Sequence, residues 1–127
     1  MGRSYIGSWS TYKHMEIKKK IRIANDFSDS PGARYREDGD FSGQAFLEDI
    51  LLGAFEGAVK DDYKILIDLD GVWGYPSSFI SGSFGKLSLS KTADLVLKHI
   101  EFKSDDSATR LDEIIAEIKN PRTHDKK

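Results

Sequence analysis

Residues 63–70 read Tyr-Lys-Ile-Leu-Ile-Asp-Leu-Asp, the strongest strand pattern in the chain. Four of these side chains are apolar, and they fall on both faces of a strand. That distribution is typical of a central strand that is covered on both sides. The segment runs into Asp70-Gly71, a pair that favours a turn. We therefore predict a central β-strand with a turn directly after it.

Strand and helix patterns alternate on either side of this segment. Isoleucines separated by basic residues from Ile17 to Ile23 predict a first strand at a sheet edge. Ser42 is a candidate N-cap for an amphipathic helix over residues 43–59. A third strand is predicted within 95–102, centred on 99–102, and three- and four-residue apolar spacing over 111–118 predicts a last helix that stops before a proline.

This order predicts the α/β class, with elements alternating as β-α-β-α-β-α. We expect a small mixed sheet with helices packed on one face. The domain spans 16–120 and is followed by a polar tail, 121–127. Residues 1–15 are either a native N-terminal arm or the remnant of a tag before a start at Met15. The long segment 25–41 is expected to be a loop, and loops longer than about 12–15 residues are usually functional or disordered.

The composition excludes several classes of site. The chain has 127 residues, no cysteine and a formal net charge of −2. The absence of cysteine excludes disulfides, thiolate metal sites and a cysteine nucleophile. No apolar run reaches the roughly 20 residues of a membrane span, so we expect a cytoplasmic protein without a membrane partner. Nucleic acid is not an expected partner either, because the net charge is near zero and the basic run Lys18-Lys19-Lys20 suits a solvated edge strand.

Few motifs indicate catalysis. The three histidines lie far apart and none has a ligand at helical spacing, so no metal site is expected. Residues 81–85 contain glycine and serine but lack the spacing of a phosphate-binding loop or a nucleophile elbow. Asp68 and Asp70 lie at the end of the predicted central strand, where they either bind magnesium or cap the turn. We expect no cofactor and no catalytic residue.

Ser77 and Ser78 follow the central strand and its turn, at the predicted start of a helix. Hydroxyls there lie beside backbone N–H groups that have no intrahelical partner, at the positive end of the helix dipole. A phosphate added at this position gains charge-assisted hydrogen bonds and places close to two negative charges on a surface turn. Two interpretations stay open, a phosphorylation site and a helix cap.

Several ordered motifs resemble the STAS-like domain family (DUF4325). The motifs are Leu69–Ile80, Phe84-Gly85, Gly32-Ala33-Arg34, Ser42–Phe46 and His99–Phe102. The resemblance covers most of the chain, from Ile17 to Ile118. It implies the layout of the sulfate-transporter and anti-sigma-factor-antagonist (STAS) fold.

The resemblance also implies a function. In bacterial antagonists of the STAS fold, a partner kinase phosphorylates a serine at the start of the helix after the central strand. Ser77 aligns with that phosphoacceptor and Ser78 with its neighbour, although Pro76 and Phe79 replace the acid and the glycine of the usual Asp-Ser-Ser-Gly pattern. The implied partner is an ATPase of the GHKL histidine-kinase type. The expected protein is therefore a non-catalytic bacterial signalling module that docks this ATPase and is switched by serine phosphorylation.

The expected partner-binding residues come from the same motifs. They are Arg34, Ser42, Gly43, Asp70, Phe79 and Phe84. Arg34 either pairs with an acidic group or phosphate, which its planar fork suits, or ties the long loop to the domain. The alternative function is a small nucleotide- or metal-binding enzyme that uses Asp68, Asp70 and Arg34, because ligands of α/β sheets often bind at strand ends.

Overall fold

Three strands form the sheet of the computed structural model, which describes residues 15–122. They are β1 (Ile17–Arg22), β2 (Lys64–Asp68) and β3 (Ile100–Lys103), with β2 in the centre. Both pairings are parallel, because helices return the chain to the same end of the sheet between strands. The α/β class is confirmed, but among the described residues the sheet is parallel and not mixed.

Helices connect the strands and follow the last one. A short α1 (Ile23–Asp26) begins at Ile23, where the first strand was expected to continue, and runs into the segment 25–41. A 3₁₀ turn (Arg36–Asp38) lies within that segment, which was expected to be a loop. The longer helices are α2 (Gly43–Phe46, the π-helical Leu47–Leu51 and Leu52–Asp61), α3 (Ser77–Ile80, the π-helical Ser81–Gly85 and Lys86–Lys91), α4 (Ala93–His99) and α5 (Ala108–Lys119). No helix within residues 15–122 is long and apolar enough to cross a bilayer. The expectations for the N-terminal arm, for His14 and His124 and for the end of the tail lie outside the described residues.

The start of α2 is the cap that the sequence predicts. Ser42 has an extended backbone, and its Oγ accepts a hydrogen bond from the backbone N–H of Ala45 at 3.0 Å. This bond satisfies one of the N–H groups that a helix leaves without a partner in its first turn. Because Ser42 is fully buried, water cannot replace the bond.

The third strand is shorter than the sequence predicts. Residues 95–99 belong to α4, and β3 begins only at Ile100. The hydroxyl of Thr92 accepts a hydrogen bond from the Leu95 N–H at 3.3 Å and caps this helix. Val96 and His99 lie three residues apart and are both buried, which is helical and not strand periodicity. His99 is further tied to the fold because its Nδ1 lies 2.9 Å from the Tyr63 carbonyl oxygen.

Only one face of the sheet is apolar. Ile65 and Ile67 of β2 are fully buried, which confirms that helices cover this face. Leu66 points to the other face, is only half-buried, and lies in register between Lys20 and Glu101. The expectation that β2 is covered on both sides is therefore wrong among the described residues, because its neighbours present charged side chains on the second face.

Candidate functional site

The loops that follow the three strands meet at one edge of the sheet, here called the carboxyl edge, because parallel strands all end there. Asp70 lies in the loop after β2 and is buried. Its Oδ1 accepts hydrogen bonds from the backbone N–H groups of Asp105 and Asp106, both at 2.8 Å, and the Lys103 ammonium donates to its Oδ2 at 2.9 Å. Asp70 thus joins the β2 loop to the β3 loop.

The pKa of Asp70 reflects these contacts. Burial acts to raise the pKa of this carboxyl, but the hydrogen bonds from Asp106, Lys103 and Asp105 outweigh it and lower the pKa to about 2. The same pairing raises the pKa of Lys103, chiefly through the hydrogen bonds to Asp70 and Asp105. Both groups are charged at neutral pH, and their ion pair holds the loop after β2 to the end of β3. The structure therefore does not place Asp70 on an open contact surface.

Asp68, the other acid at the end of β2, also lies among cations. Its Oδ2 is 3.4 Å from Nε of Arg22 and 3.9 Å from Nζ of Lys103. In addition, its Oδ1 accepts a hydrogen bond from the Asp70 N–H at 3.0 Å. No group of three or more metal-ligating side chains occurs in the described part of the chain. Of the two interpretations of these acids, the structure favours the turn cap.

Side-chain contacts also hold the loop between β2 and α3 in place. The Tyr75 hydroxyl donates to the Leu69 carbonyl at 2.9 Å, and burial raises the pKa of this tyrosine. The Arg110 guanidinium lies 5.2 Å from the centre of the Tyr75 ring and donates to the Val72 carbonyl at 3.2 Å. The first of these contacts ties the two ends of the loop together, and the second bonds the loop to α5.

Trp73 lies on this anchored loop and is 84% exposed, the most exposed of the large hydrophobic side chains in the described part of the chain. Its backbone N–H donates to the Asp29 carbonyl at 2.8 Å, and the N–H of Gly71 donates to Asp106 Oδ2 at 3.0 Å. The backbone is thus held from both neighbouring loops while the indole faces solvent. Sequence reasoning missed Trp73 as a site residue, because an aromatic side chain beside a strand end is ordinarily read as part of the core.

Ser77 and Ser78 occupy the first two positions of α3, as predicted. Ser77 is exposed and Ser78 is half-buried. Pro76 precedes them, and no side chain caps this end of the helix. The Arg122 guanidinium donates to the Ser77 carbonyl at 3.4 Å, and the two residues line a cavity of about 630 Å³ together with Glu113. This places a cation beside the candidate phosphoacceptor.

Besides Asp70, four expected partner-binding residues are buried and are not available to a partner in this fold. Ser42 is the buried cap of α2, Phe79 and Phe84 are fully buried, and Gly43 is buried against α3. The two phenylalanines lie 5.8 and 5.9 Å from the ring of Phe46 and form an aromatic core between the helices. The prediction that these residues contact a partner is therefore wrong. It was based on their position in a motif, and a motif position does not show whether an apolar residue lies in the core or on the surface.

Two glycines allow α2, α3 and the Arg34 segment to pack without intervening side chains. A Cβ at Gly43 would lie 2.5 Å from the Phe79 carbonyl oxygen, and a Cβ at Gly82 would lie 2.8 Å from the Arg34 carbonyl oxygen. The Arg34 carbonyl also accepts a hydrogen bond from the Gln44 N–H at 3.0 Å. Arg34 is half-buried and lines a cleft of about 270 Å³ between its own segment, α2 and α3. Asp68 and Asp70 do not line this cleft, so the structure does not bring the three residues of the alternative function into one site.

A family model described as a STAS-like domain of unknown function (DUF4325) matches residues 42–110. The matched segment extends from the cap of α2 to the first turn of α5 and contains both β2 and β3. The chain belongs to this family. No curated protein and no solved structure matches the chain. Within the matched part of this STAS-like domain lie Asp70, Trp73 and the two serines of α3, whereas Arg34 and Arg122 lie outside it.

Proposed function

We propose that this STAS-like domain is a non-catalytic regulatory module that binds a protein partner through its carboxyl edge, around Trp73 and Ser77. The observation that carries the proposal is the exposure of Trp73, at 84%, on a loop whose backbone is hydrogen-bonded to Asp29 and Arg110. Tryptophan is enriched among the residues that supply most of the energy of protein interfaces. A side chain on a rigid loop also loses less entropy on binding than one on a mobile loop.

Phosphorylation of Ser77 is the switch that we propose for this surface. The serine is exposed at the beginning of a long helix, where first-turn N–H groups and the helix dipole favour a phosphate. Arg122, whose guanidinium lies 3.4 Å from the Ser77 carbonyl, supplies a cation. Glu113 and Glu117 line the same cavity, so the added charge would be drawn to Arg122 and repelled by the acids of α5. Such a change alters both the charge and the shape of the carboxyl edge.

The partner that we propose is a GHKL-type ATPase with kinase activity. This part of the proposal is supported by the family resemblance, and by the position of Ser77 at the start of the helix after the central strand. An enzyme that uses strand-end acids is less well supported, since Asp68 and Asp70 are bonded to Arg22 and Lys103 at the sheet edge.

The test uses the full chain and a GHKL-type ATPase encoded beside it, incubated with labelled ATP. We expect the label on the wild type and on Ser78→Ala, and no label on Ser77→Ala. Binding of the unmodified chain to the same ATPase is measured in parallel by titration calorimetry. Binding without labelling would support the docking surface but contradict the proposed phosphorylation switch. Labelling of Ser77→Ala at the wild-type level would show that Ser77 is not the phosphoacceptor. A wild-type chain that neither binds the ATPase nor is labelled by it would contradict the choice of partner.

A further inference from the structure

The cleft beside Arg34 is lined by an excess of basic side chains. Arg34, Lys86 and Arg122 contribute three cations, and Glu48 is the one acidic residue among the described residues that line it. Glu48 is already bonded, since it accepts a hydrogen bond from Nε of Arg36 at 3.1 Å. The charge that faces the cleft is therefore positive although the whole chain has a net charge of −2.

Lys86 is the cation in this cleft that is most available to a ligand. It is exposed on the second half of α3 and takes part in none of the ion pairs found within residues 15–122. Arg122, in contrast, is paired with the buried Glu117 at 3.0 Å. An ammonium without a fixed partner acts as a mobile point charge that can follow an anion into the cleft.

The floor of the cleft carries a serine hydroxyl. Ser81 is 5% exposed and lines the cleft, and within the described residues its hydroxyl takes part in no side-chain hydrogen bond. Ser81 thus offers a donor at the base of a cationic cleft.

The backbone around Gly82 determines where Arg34 enters the cleft. A Cβ at Gly82 would lie 2.8 Å from the Arg34 carbonyl oxygen and 3.1 Å from Arg34 Cγ. The aliphatic stem of Arg34 therefore rests directly on α3, at the helix position that follows Ser81. This contact holds the stem of Arg34 against the helix before any ligand is bound.

We propose that this cleft binds a small molecule that carries a phosphoryl group. A guanidinium fork and an ammonium are the side chains that bind phosphoryl oxygens best, and a serine hydroxyl adds a neutral donor. The volume of about 270 Å³ suits a compact ligand, and Tyr35 and Leu89 provide apolar surface for the rest of the molecule. Arg122 lines both this cleft and the cavity beside Ser77, but the exposed Trp73 does not line this cleft, so the ligand site is tested separately from the protein partner proposed above.

The experiment is a titration of the isotope-labelled full chain, followed by the amide resonances, at constant ionic strength. The probes are inorganic phosphate, adenosine monophosphate and a phosphoserine peptide. We expect the monophosphate to shift the amide resonances of Ser81, Gly82 and Lys86 until the site is saturated. Inorganic phosphate should shift the same resonances by less. Lys86→Ala should weaken the binding of the monophosphate about tenfold, the usual effect of losing one charge-assisted hydrogen bond.

The matched control is Lys91→Ala, in the same helix. Lys91 pairs with Glu56 at 3.4 Å and does not line the cleft. This variant should bind the monophosphate like the wild type. An equal loss of binding in both variants would reveal unspecific charge attraction and overturn the proposal. Saturation by the phosphopeptide alone would also overturn it, because the ligand would then be a protein segment. No shift of these amides with any of the probes would exclude the site.

Discussion

Asp70 connects two loops through a single carboxylate. Its oxygens accept hydrogen bonds from two backbone N–H groups and from Lys103, and only 6% of the residue is exposed. From the sequence, an aspartate after a strand is equally compatible with metal binding, catalysis and a turn cap. The choice between these roles depends on Lys103 and on the loop after β3, which are 33 or more residues away along the chain. Local pattern carries no information about such distant partners.

The low pKa of Asp70 predicts a pH dependence of stability. The ionised carboxylate stabilises the folded state fully above its ordinary pKa, and this contribution is lost as the pH falls through the folded pKa of about 2. We expect Asp70→Asn to lower the free energy of unfolding at pH 7 by on the order of 1–2 kcal/mol. The difference from the wild type should shrink as the pH falls from about 4 towards 2.

Urea unfolding at a series of pH values measures this difference. Asp112→Asn, on the exposed side of α5, is the matched control and should change stability little at either end of the range. A loss of stability in Asp70→Asn that is the same at pH 7 and at low pH would show that the ionised state of this carboxyl contributes nothing.

For the other single residues, the sequence motifs predict where a residue lies along the chain and its helices better than they predict whether it is exposed or buried. Ser77 lies where the sequence predicts, exposed at the start of a helix. Phe79, two residues later, was expected on the same surface but is fully buried, because helical geometry turns it towards the core. Trp73 and Arg122 were missed, the first because burial of an aromatic residue cannot be read from its type, the second because it lies in the polar tail.

Among the elements, the contact between α2 and α3 depends on the absence of a side chain at Gly43. Spacing predicts α2 and its cap correctly, but it does not show which of the glycines lies against a neighbouring helix. The structure shows that Gly43 meets backbone atoms of α3, whereas nothing lies within 4 Å of a Cβ at Gly53. The two glycines therefore have different roles in the same helix.

This difference predicts opposite effects of the same substitution. Gly43→Ala places a methyl group 2.5 Å from the Phe79 carbonyl oxygen, and a backbone atom cannot move aside as a flexible side chain can. We expect a loss of about 1–3 kcal/mol in the free energy of unfolding. Gly53→Ala has open space and should gain about 0.5–1 kcal/mol from helix propensity. Chemical denaturation of the two variants provides the measurement, and a Gly43→Ala protein as stable as Gly53→Ala would refute the close contact.

For the strands, the sequence pattern predicts their positions better than it predicts their burial. The alternation in β1 and the apolar run of β2 identify these strands, and a helix-capping hydroxyl at Thr92 marks the start of α4, the helix that precedes β3. The apolar run of β2 overstates its burial, since Leu66 lies between charged side chains of the neighbouring strands. Which strands pair across a sheet depends on tertiary structure, so it cannot be predicted from the sequence of one strand alone.

For the molecule as a whole, parallel strands place three loops at one edge, and the structure holds them there with ion pairs and hydrogen bonds. The alternation of elements predicts the α/β layout, but with a mixed sheet. The loops share one edge because both strand pairings are parallel, so that each βαβ unit returns the chain to the same end of the sheet. The loops differ in what they display. The Asp70 loop and the Asp105 loop bond to each other, and the same edge displays the indole of Trp73 to solvent. In the docking surface proposed above, this indole is the candidate anchor, because tryptophan is enriched among the residues that contribute most to binding at protein interfaces.

The proposed docking surface predicts that Trp73→Ala separates binding from stability. Removing an 84% exposed side chain should change the free energy of unfolding by less than about 0.5 kcal/mol. If Trp73 is the anchor, the same substitution should weaken binding to the GHKL-type ATPase by about 30-fold, which corresponds to roughly 2 kcal/mol. Leu89→Ala is the matched control, since Leu89 is 49% exposed but lies near the far end of α3. Calorimetric titration of both variants gives the affinities. Equal affinities for Trp73→Ala and the wild type, or a larger loss in Leu89→Ala, would move the interface away from the carboxyl edge.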